Sequence, residues 1–388
     1  MGMGVGKKAY RKRNSGNHPA ENHPAGNHPD GTAHDFTGIP SASGLTKNRL
    51  RLPKMLSCAG GLGLLGAVIL VSLGLGKYPI SPKDILAFLG QSWFGASYFN
   101  EEQMEVMKNV LWNIRFPRIL AAALVGSALS VSGSAYQAMF VNPLVSPSIL
   151  GVLWGASFGA AIGIVFLKSW YAVQLTTLVG GLAAVAIAIG IARIYRVNST
   201  IMLVLGGIVS GTLFTSLLEL VKYTADPYNE LPAITYWLMG SLSQPDLEMA
   251  INAAIPICIG IGVLIFLSRH LNVLSLGDEE ARALGLNVPR IRIIVIICAT
   301  VISAMTVGIV GSITWVGLIV PHFTRMITGP DNERLLPAAA IIGAIYLIAV
   351  DDICRLIFSF ELPVGVVTSL VGVPCFIFVL RNARKGWS

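Results

Sequence analysis

The chain has 388 residues, of which 54% are hydrophobic and 12% are charged, and its mean hydropathy is +0.68. Soluble domains carry about 25% charged residues, so this composition excludes an ordinary soluble globular protein. The formal net charge is +8, but residues 1–54 alone hold 9 Lys and Arg against 3 Asp and Glu. The excess charge therefore belongs mainly to that segment, which argues against a nucleic-acid-binding groove.

Residues 1–54 differ in composition from the rest of the chain. The triplet Asn-His-Pro occurs three times at five-residue intervals, beginning at Asn17, Asn22 and Asn27. Gly, Pro, Asn and Ser surround it, and such a segment cannot bury enough apolar surface to fold. We predict a disordered cytoplasmic tail followed by one transmembrane domain over residues 55–388. The histidines could hold a divalent metal loosely, although a solvated repeat is the simpler interpretation.

Apolar runs of membrane length begin after Lys54. Crossing a bilayer takes about 20 apolar residues. Ten runs meet or approach this length: 56–76, 118–140, 148–167, 170–192, 201–222, 249–268, 291–312, 315–327, 336–352 and 363–380. The eighth is short and contains Pro321, His322 and Arg325, so it is the least similar to a simple lipid-facing helix. The pattern predicts an all-α polytopic membrane protein with ten transmembrane helices.

The distribution of basic residues predicts the orientation. Lys and Arg favour the cytoplasmic side of a membrane. With the N-terminus inside, the inner segments hold 20 Lys and Arg and the outer segments hold 8; without residues 1–54 the counts are 11 and 8. We therefore expect a multi-pass protein of the cell membrane with both termini in the cytoplasm.

A run of small residues lies in the third span. Gly151, Gly155, Gly159 and Gly163 recur every four residues, which places them on one face of a helix. Such a face lets a neighbouring backbone approach closely. We predict a helix–helix contact here and assign it no catalytic role.

Motifs of common membrane chemistries are missing from the sequence. It contains no Gly-x-x-x-x-Gly-Lys-Ser/Thr phosphate loop and no HExxH. The middle of each span is almost free of charge, whereas proton pumps carry acidic residues or histidine there. Glu219 and Lys222 are the exception, and a local ion pair explains them more simply than a polar vestibule. We predict no catalytic residue, metal site or cofactor, and an energy source outside the chain.

Six segments, in this order, resemble one protein family. They are "RFPR" (115–118), "GSALSVSGSAYQAMFVNPLVSPSILGVLWGASFGA" (126–160), "LPAITYWLMGSLS" (231–243), "LSLGDEEARALGLNVPRIR" (274–292), "GSITWVGLIVPHFTRMITGPDNERLLPAAAIIGA" (311–344) and "DDICRLIFSFELPVGVVTSLVGVPCFIFVLR" (351–381). Together they are similar to the FecCD-type permease subunits of ABC importers for iron–siderophores, haem and vitamin B12. The resemblance covers about residues 56–381 and does not include the histidine repeat.

The resemblance implies a type II ABC importer permease that acts as a homodimer in the lipid bilayer. Two cytoplasmic ATP-binding subunits would drive transport, and an extracytoplasmic substrate-binding protein would deliver the cargo. We expect the cargo to be an iron(III)–siderophore complex, with cobalamin, haem or molybdate as alternatives within the family. A secondary transporter is the rival from another class, and a membrane-embedded enzyme is a more distant one.

The polar segment 275–287, between the sixth and seventh spans, predicts a short helix. Ser275 is the expected N-cap, acidic residues follow in the first turn, and Gly285 is expected to end the helix. The resemblance implies that this segment is the coupling helix that contacts the ATPase. The residues assigned to that contact are Leu276, Gly277, Glu280, Ala281, Ala283, Leu284 and Gly285. A plain amphipathic connector is the alternative interpretation.

Three arginines are candidates for docking the binding protein. The resemblance implies that Arg115, Arg118 and Arg355 meet glutamates of that partner. Charges at the rim of an interface mainly steer the encounter. Alternatively, Arg115 and Arg118 anchor a helix end at the lipid headgroups, and Arg355 pairs with Asp351 four residues earlier.

Two short segments are candidates for an inner gate. The resemblance implies that Asn142 and Leu144, after the second span, and Ser199 and Thr200, at the start of the fifth, constrict the inner mouth of the pathway. The alternative is a tight Asn-Pro turn and a Ser/Thr helix cap. Both can hold, because a capped turn is a rigid support for a gate.

Overall fold

A computed structural model describes residues 58–95, 98–194, 200–357 and 360–383. These residues form helices and connecting turns, and no β-strand occurs among them. Residues 1–54 lie outside the described ranges, so their disorder stays a prediction.

Fifteen α-helices follow one another in the described part of the chain. They are α1 (Cys58–Gly74), α2 (Pro82–Phe94), α3 (Glu101–Lys108), α4 (Phe116–Met139), α5 (Val152–Ile162), α6 (Trp170–Ile194), α7 (Thr200–Thr224), α8 (Glu230–Met239), α9 (Leu247–Phe266), α10 (Ser268–Leu274), α11 (Asp278–Ala283), α12 (Val288–Val310), α13 (Val316–Thr328), α14 (Asn332–Leu356) and α15 (Val364–Ala383). Two π-helical segments, Asn109–Arg115 and Gly163–Leu167, lead into α4 and extend α5, and a 3₁₀ helix, Pro147–Leu150, precedes α5.

Each of the ten predicted spans corresponds to a helix. Six helical stretches, which contain α4, α6, α7, α9, α12 and α14, are long and apolar enough to cross a membrane. Among the described residues, three shorter apolar helices correspond to α1, α5 and α15, and α13 lies at the eighth predicted run. α13 has 13 residues, which is about 20 Å of helix and less than the thickness of the hydrocarbon core. The eighth span is thus the short one, as the sequence predicts.

Short helices join the spans at both ends of the bundle. α2, α3 and α8 lie at one end, here called the α2 end, and α10 and α11 lie at the other, the α11 end. Local capping defines the first two helices: Ser81 and Asp84 form a capping box at α2, and Asn100 and Gln103 form one at α3. A search for membrane-length apolar runs misses helices of this kind because they are short and partly polar.

The glycine face predicted in the third span is confirmed for Gly155, Gly159 and Gly163, whereas Gly151 precedes α5 with φ +80° and approaches α7. The face allows α5 to approach α6 until the two backbones touch. A Cβ atom at Gly155 would lie 2.3 Å from the Gly180 carbonyl oxygen, and one at Gly159 would lie 2.0 Å from the Thr176 carbonyl oxygen. Both distances are far below van der Waals contact, so no side chain larger than hydrogen fits at either position without moving the helices apart.

We expect Gly159→Ala to destabilise the subunit. The added methyl group would force α5 away from α6, and overpacking of this kind costs about 1–3 kcal/mol. Gly190→Ala on α6 is the matched control, because a Cβ atom there meets nothing within 4 Å and alanine favours the helix. Thermal unfolding of the detergent-solubilised variants should show a lower midpoint for G159A alone. Equal midpoints would contradict the close packing.

α4 lies at the centre of the bundle and packs most closely against α14. A Cβ atom at Gly126 would lie 2.1 Å from the Gly343 carbonyl oxygen. Next to it, Ser127 Oγ donates a hydrogen bond of 2.9 Å to the Ala340 carbonyl oxygen. This backbone-to-backbone contact leaves α14 little freedom to slide along α4.

Candidate functional site

An exposed apolar surface surrounds α11. Leu276 and Leu284 are 61% and 66% exposed, and Ala283 and Glu280 are exposed between them. Ala281, which we expected on this surface, is instead fully buried, because that side of the short helix faces the core of its own subunit. The available surface is therefore formed by the two leucines and Ala283.

α11 begins differently from the prediction and ends as predicted. Ser275 Oγ donates to the Leu271 carbonyl oxygen at 2.8 Å, so this side chain closes the end of α10 and does not cap α11. Gly277 occupies the N-cap position with φ +117°, a conformation that favours glycine. Gly285 follows the helix with φ +83°, as a C-terminal glycine does.

A partly buried ion pair fixes α11 to α12. Arg292 Nη2 donates to Asp278 Oδ1 at 2.6 Å, and the arginine side chain is nearly enclosed. Arg282 lies 3.9 Å from the other oxygen of the same carboxylate. The exposed surface of α11 is therefore held in a fixed orientation on the N-terminal part of α12.

The first half of the predicted gate is a tight turn at the α11 end. Asn142 Oδ1 accepts the Leu144 N–H at 2.9 Å, which forms an Asx turn. Val141, next to it, has φ +50°, an uncommon conformation for a β-branched residue. Asn142 and Leu144 are both exposed, so the turn presents one polar and one apolar side chain outward.

The second half of the predicted gate is described only in part. Thr200 is the first residue of α7 and is half-buried, whereas Ser199 lies outside the described residues. The 3₁₀ helix that follows the Asn142 turn touches α7: a Cβ atom at Gly207 would lie 2.1 Å from the Ile149 carbonyl oxygen. The gate itself stays a prediction.

A buried amide that the sequence analysis did not single out supports the Asn142 turn. Gln137, near the end of α4, accepts a hydrogen bond of 3.0 Å from Arg325 Nη2. Its Nε2 atom approaches the carbonyl oxygens of Val145 and Leu318 at 3.4 Å. Gln137 thus ties the loop after the turn to α13. The pattern gave no signal for it, because a single glutamine in an apolar span has no recognisable motif.

At the α2 end, a group here called the ion cluster joins α4 to α14 and to the connection before α15. It consists of Arg118, Asp351, Asp352, Arg355 and Glu361. Arg118 binds Asp351 with two nitrogen atoms, Nε to Oδ2 and Nη2 to Oδ1, each at 2.8 Å. Its third nitrogen, Nη1, donates to Glu361 Oε2 at 2.9 Å, and the Glu361 side chain is 41% exposed.

Arg355 completes the ion cluster and reaches α1. Its Nε atom lies 3.4 Å from Asp351 Oδ2, which confirms the pairing considered for these two residues. Its Nη2 atom donates to Asp352 and, at 2.9 Å, to Ser72 Oγ of α1. Ser72 Oγ in turn donates to Asp352 at 2.7 Å. Three spans are therefore joined through one set of charges.

The three arginines assigned to docking are buried. Arg115, Arg118 and Arg355 are 4%, 6% and 8% exposed. Arg115 donates to the backbone carbonyl oxygens of Leu73 and Tyr78, and the other two bind carboxylates of their own subunit. Contact with a partner would require these bonds to open, so the docking role stays a prediction that the free subunit does not favour.

Comparison with known proteins relates these features to a transport family. The model of the FecCD transport family matches residues 64–382. The chain is 36% identical over 335 residues to the molybdate import system permease protein MolB of Haemophilus influenzae, which is 86% of this chain and 97% of that protein.

Two further similarities cover most of the chain. It is 31% identical over 330 residues to the iron(3+)-hydroxamate import system permease protein FhuB of Bacillus subtilis, covering 84% of this chain and 83% of that protein. A solved structure of a metal-chelate type ABC transporter in an inward-facing conformation superposes with a TM-score of 0.73 at 33% identity. That match covers 84% of this chain and 98% of the other.

Proposed function

Because the chain belongs to the FecCD transport family, and is thus a membrane-spanning permease of an ABC importer without catalytic activity of its own, we propose that it carries iron(III)–siderophore complexes. It works with ATP-binding subunits and a substrate-binding protein. In the proposed assembly, two copies of the chain join two ATP-binding subunits on the cytoplasmic side and one binding protein on the outer side. Both termini and the α11 end face the cytoplasm.

The observation that supports this assembly is the surface around α11. It is apolar, exposed and rigidly oriented by the Asp278–Arg292 pair, and it projects from the end of the bundle. An exposed apolar patch on a fixed element indicates a protein contact. Since the sequence has no phosphate loop of its own, an ATPase is the partner that fits this surface.

A groove on α7 supports a cargo that brings its own ligands. Its volume is about 500 Å³, and its lining includes the hydroxyl groups of Ser148, Thr212, Thr215 and Ser216. None of the described residues that line it is charged. A bare iron ion would need carboxylate or other charged ligands, whereas a chelate needs only a neutral, hydroxyl-bearing path. We propose that this groove, paired with that of a second copy, lines the pathway.

Molybdate is the second candidate, because a molybdate permease matches this chain at 36% identity over 97% of that permease. An uncharged groove would also admit a small oxyanion. The deciding experiment reconstitutes the complete importer in proteoliposomes and measures ATP-dependent uptake of labelled ferric siderophore, molybdate, cobalamin and haem. Saturable uptake of the ferric siderophore alone supports the proposal, and uptake of molybdate alone replaces it by the second candidate.

The same vesicles distinguish the importer from a secondary transporter. The mid-span regions offer few acid–base groups for coupling to a proton gradient. We therefore expect no uptake in vesicles that hold the permease and an ion gradient but no ATP-binding subunits. Uptake under those conditions would show that the energy comes from the gradient.

The gate predicts nucleotide-dependent access to the Asn142 turn. Apolar and short polar side chains can close on one another without burying unpaired charge. Cysteines introduced at Leu144 or Thr200 should crosslink between copies, or lose reactivity, in one nucleotide state of the active complex. Tyr228 at the α2 end is 88% exposed, and a cysteine there should react equally in all states.

The gate experiment needs a background without reactive native thiols. The cysteines to be replaced are Cys58, Cys258, Cys298, Cys354 and Cys375. Cys354 is buried and Cys258 is exposed, so alanine suits the first and serine the second. Identical labelling at Leu144 and Thr200 with and without ATP, in a complex that transports, would remove both residues from the gate.

A further inference from the structure

One side-chain amide joins α10 to the start of α14. Asn272 Nδ2 donates to Asp331 Oδ1 at 2.7 Å, and Asn272 Oδ1 accepts the backbone N–H of Asn332 at 2.7 Å. The donor and the acceptor of one amide are therefore both used on two consecutive residues of the other element. Two hydrogen bonds from one amide fix both the distance and the relative orientation of α10 and α14, which a single hydrogen bond does not.

The pairing of Asn272 with Asp331 and Asn332 is here called the joint, and its acceptor, the Asp331 carboxylate, stays charged. Asp331 also accepts the backbone N–H of Glu333 at 3.0 Å and thereby caps α14. The Asn272 amide and this N–H hold the pKa of the Asp331 carboxyl below its usual value. The carboxylate thus remains an acceptor at neutral pH. Asn332 beside it is buried, so the joint is partly shielded from water.

A second contact between α10 and α14 is an exposed ion pair. Arg269 Nε lies 3.3 Å from Glu333 Oε2, and both side chains are exposed. Exposed ion pairs contribute little to stability. Asn272 therefore makes the stronger polar connection between α10 and α14. Arg269, on the same helix, is the control position.

The elements on the two sides of the joint are each rigid. On one side, Leu271 and Leu274 of α10 are buried, and α11 is held to α12 by the Asp278–Arg292 pair. On the other side, α14 is held along α4 by the Gly126 contact and ends in the ion cluster at the α2 end. The Asn272 amide is therefore the paired hydrogen-bond connection that links a displacement of the α10–α11 segment to the start of α14.

We propose that Asn272 is a positioning residue for energy coupling, and that its amide transmits ATPase-driven movement of the α10–α11 segment to α14. The inference rests on the proposed function, because it assumes that an ATPase binds the α11 surface. Asn272 touches neither cargo nor nucleotide in this account. It acts by keeping two rigid elements in register while one of them is pushed.

Exchanging the two polar partners tests the joint. Asn272→Asp removes the amide donor and sets two carboxylates against each other, so we expect cargo transported per ATP hydrolysed to fall about tenfold. Asp331→Asn keeps a helix cap and an acceptor, and we expect transport per ATP within about twofold of the wild type. The double variant restores a donor opposite the introduced carboxylate and should recover at least about half of the wild-type ratio.

The comparison variants separate coupling from folding and from the proposed function. Arg269→Ala, which removes the exposed pair on the same helix, should leave the ratio unchanged, and thermal unfolding of every solubilised variant is measured in parallel. The inference is wrong if N272D transports per ATP as the wild type does. It is equally wrong if the double variant folds like the wild type but stays as uncoupled as N272D. If the wild-type complex itself shows no ATP-dependent uptake, the proposed function fails instead.

Discussion

Asp351→Asn is expected to lower the free energy of unfolding of the subunit by about 3–5 kcal/mol, since removal of one partner from a buried ion pair leaves uncompensated charge. Asp351 accepts the Nε and Nη2 bonds of Arg118 and lies 3.4 Å from Arg355. An amide at this position loses the negative charge and offers one acceptor atom in place of two. Two buried guanidinium groups would then depend on Asp352 and Glu361.

Denaturant titration of the detergent-solubilised subunit measures this effect. Glu219→Gln is the control, because it makes the same change of charge in an exposed pair, in which Glu219 Oε1 lies 3.0 Å from Lys222 Nζ. Exposed pairs contribute little, so E219Q should hardly move the transition. If D351N and E219Q shift the transition equally, the ion cluster does not stabilise the fold.

Ala283→Arg is expected to abolish most ATP-driven uptake while the subunit still inserts and folds. Ala283 is exposed between Leu276 and Leu284, so the longer side chain has room in the free subunit. At an apolar contact with the ATPase, however, the guanidinium would be desolvated without a partner. A loss of about 2 kcal/mol of contact free energy corresponds to roughly a thirtyfold loss of affinity.

Uptake and ATP hydrolysis are measured in the same proteoliposomes to test this prediction. We expect A283R to reduce transport at least about tenfold and to break its dependence on ATP hydrolysis. Ala283→Ser is the control, because it changes the position without adding bulk or charge, and it should transport normally. A complex that transports normally with A283R would exclude this face of α11 from the ATPase contact.

The sequence was most informative where one local pattern decides the structure. Hydrophobic runs predicted all ten spans, including the short α13, because lipid demands apolar length. The four-residue glycine spacing predicted the face of α5 that meets α6, and Gly285 predicted the end of α11. Each of these signals lies within one helix or one turn.

Features that depend on distant partners could not be predicted in this way. The predicted N-cap of α11 is a separate case and was wrong for a local reason, because Ser275 Oγ donates to the Leu271 carbonyl oxygen four residues earlier. Arg118 and Asp351 are 233 residues apart, and Asn272 and Asp331 are 59 apart. Only the i, i+4 pairing of Asp351 with Arg355 had a local signature, and it was predicted as an alternative.

The ion cluster also bears on how the protein is made. Arg118 precedes its carboxylate partner by 233 residues, so during synthesis α4 enters the membrane long before α14 has left the ribosome. Until then the guanidinium must snorkel to the headgroups, where water can satisfy it. Arg118 gains its Asp351 partner only when α14 enters the membrane near the end of translation. A nascent chain that stops short of α14 thus displays at the membrane surface an arginine without its carboxylate partner, which distinguishes it from a finished subunit.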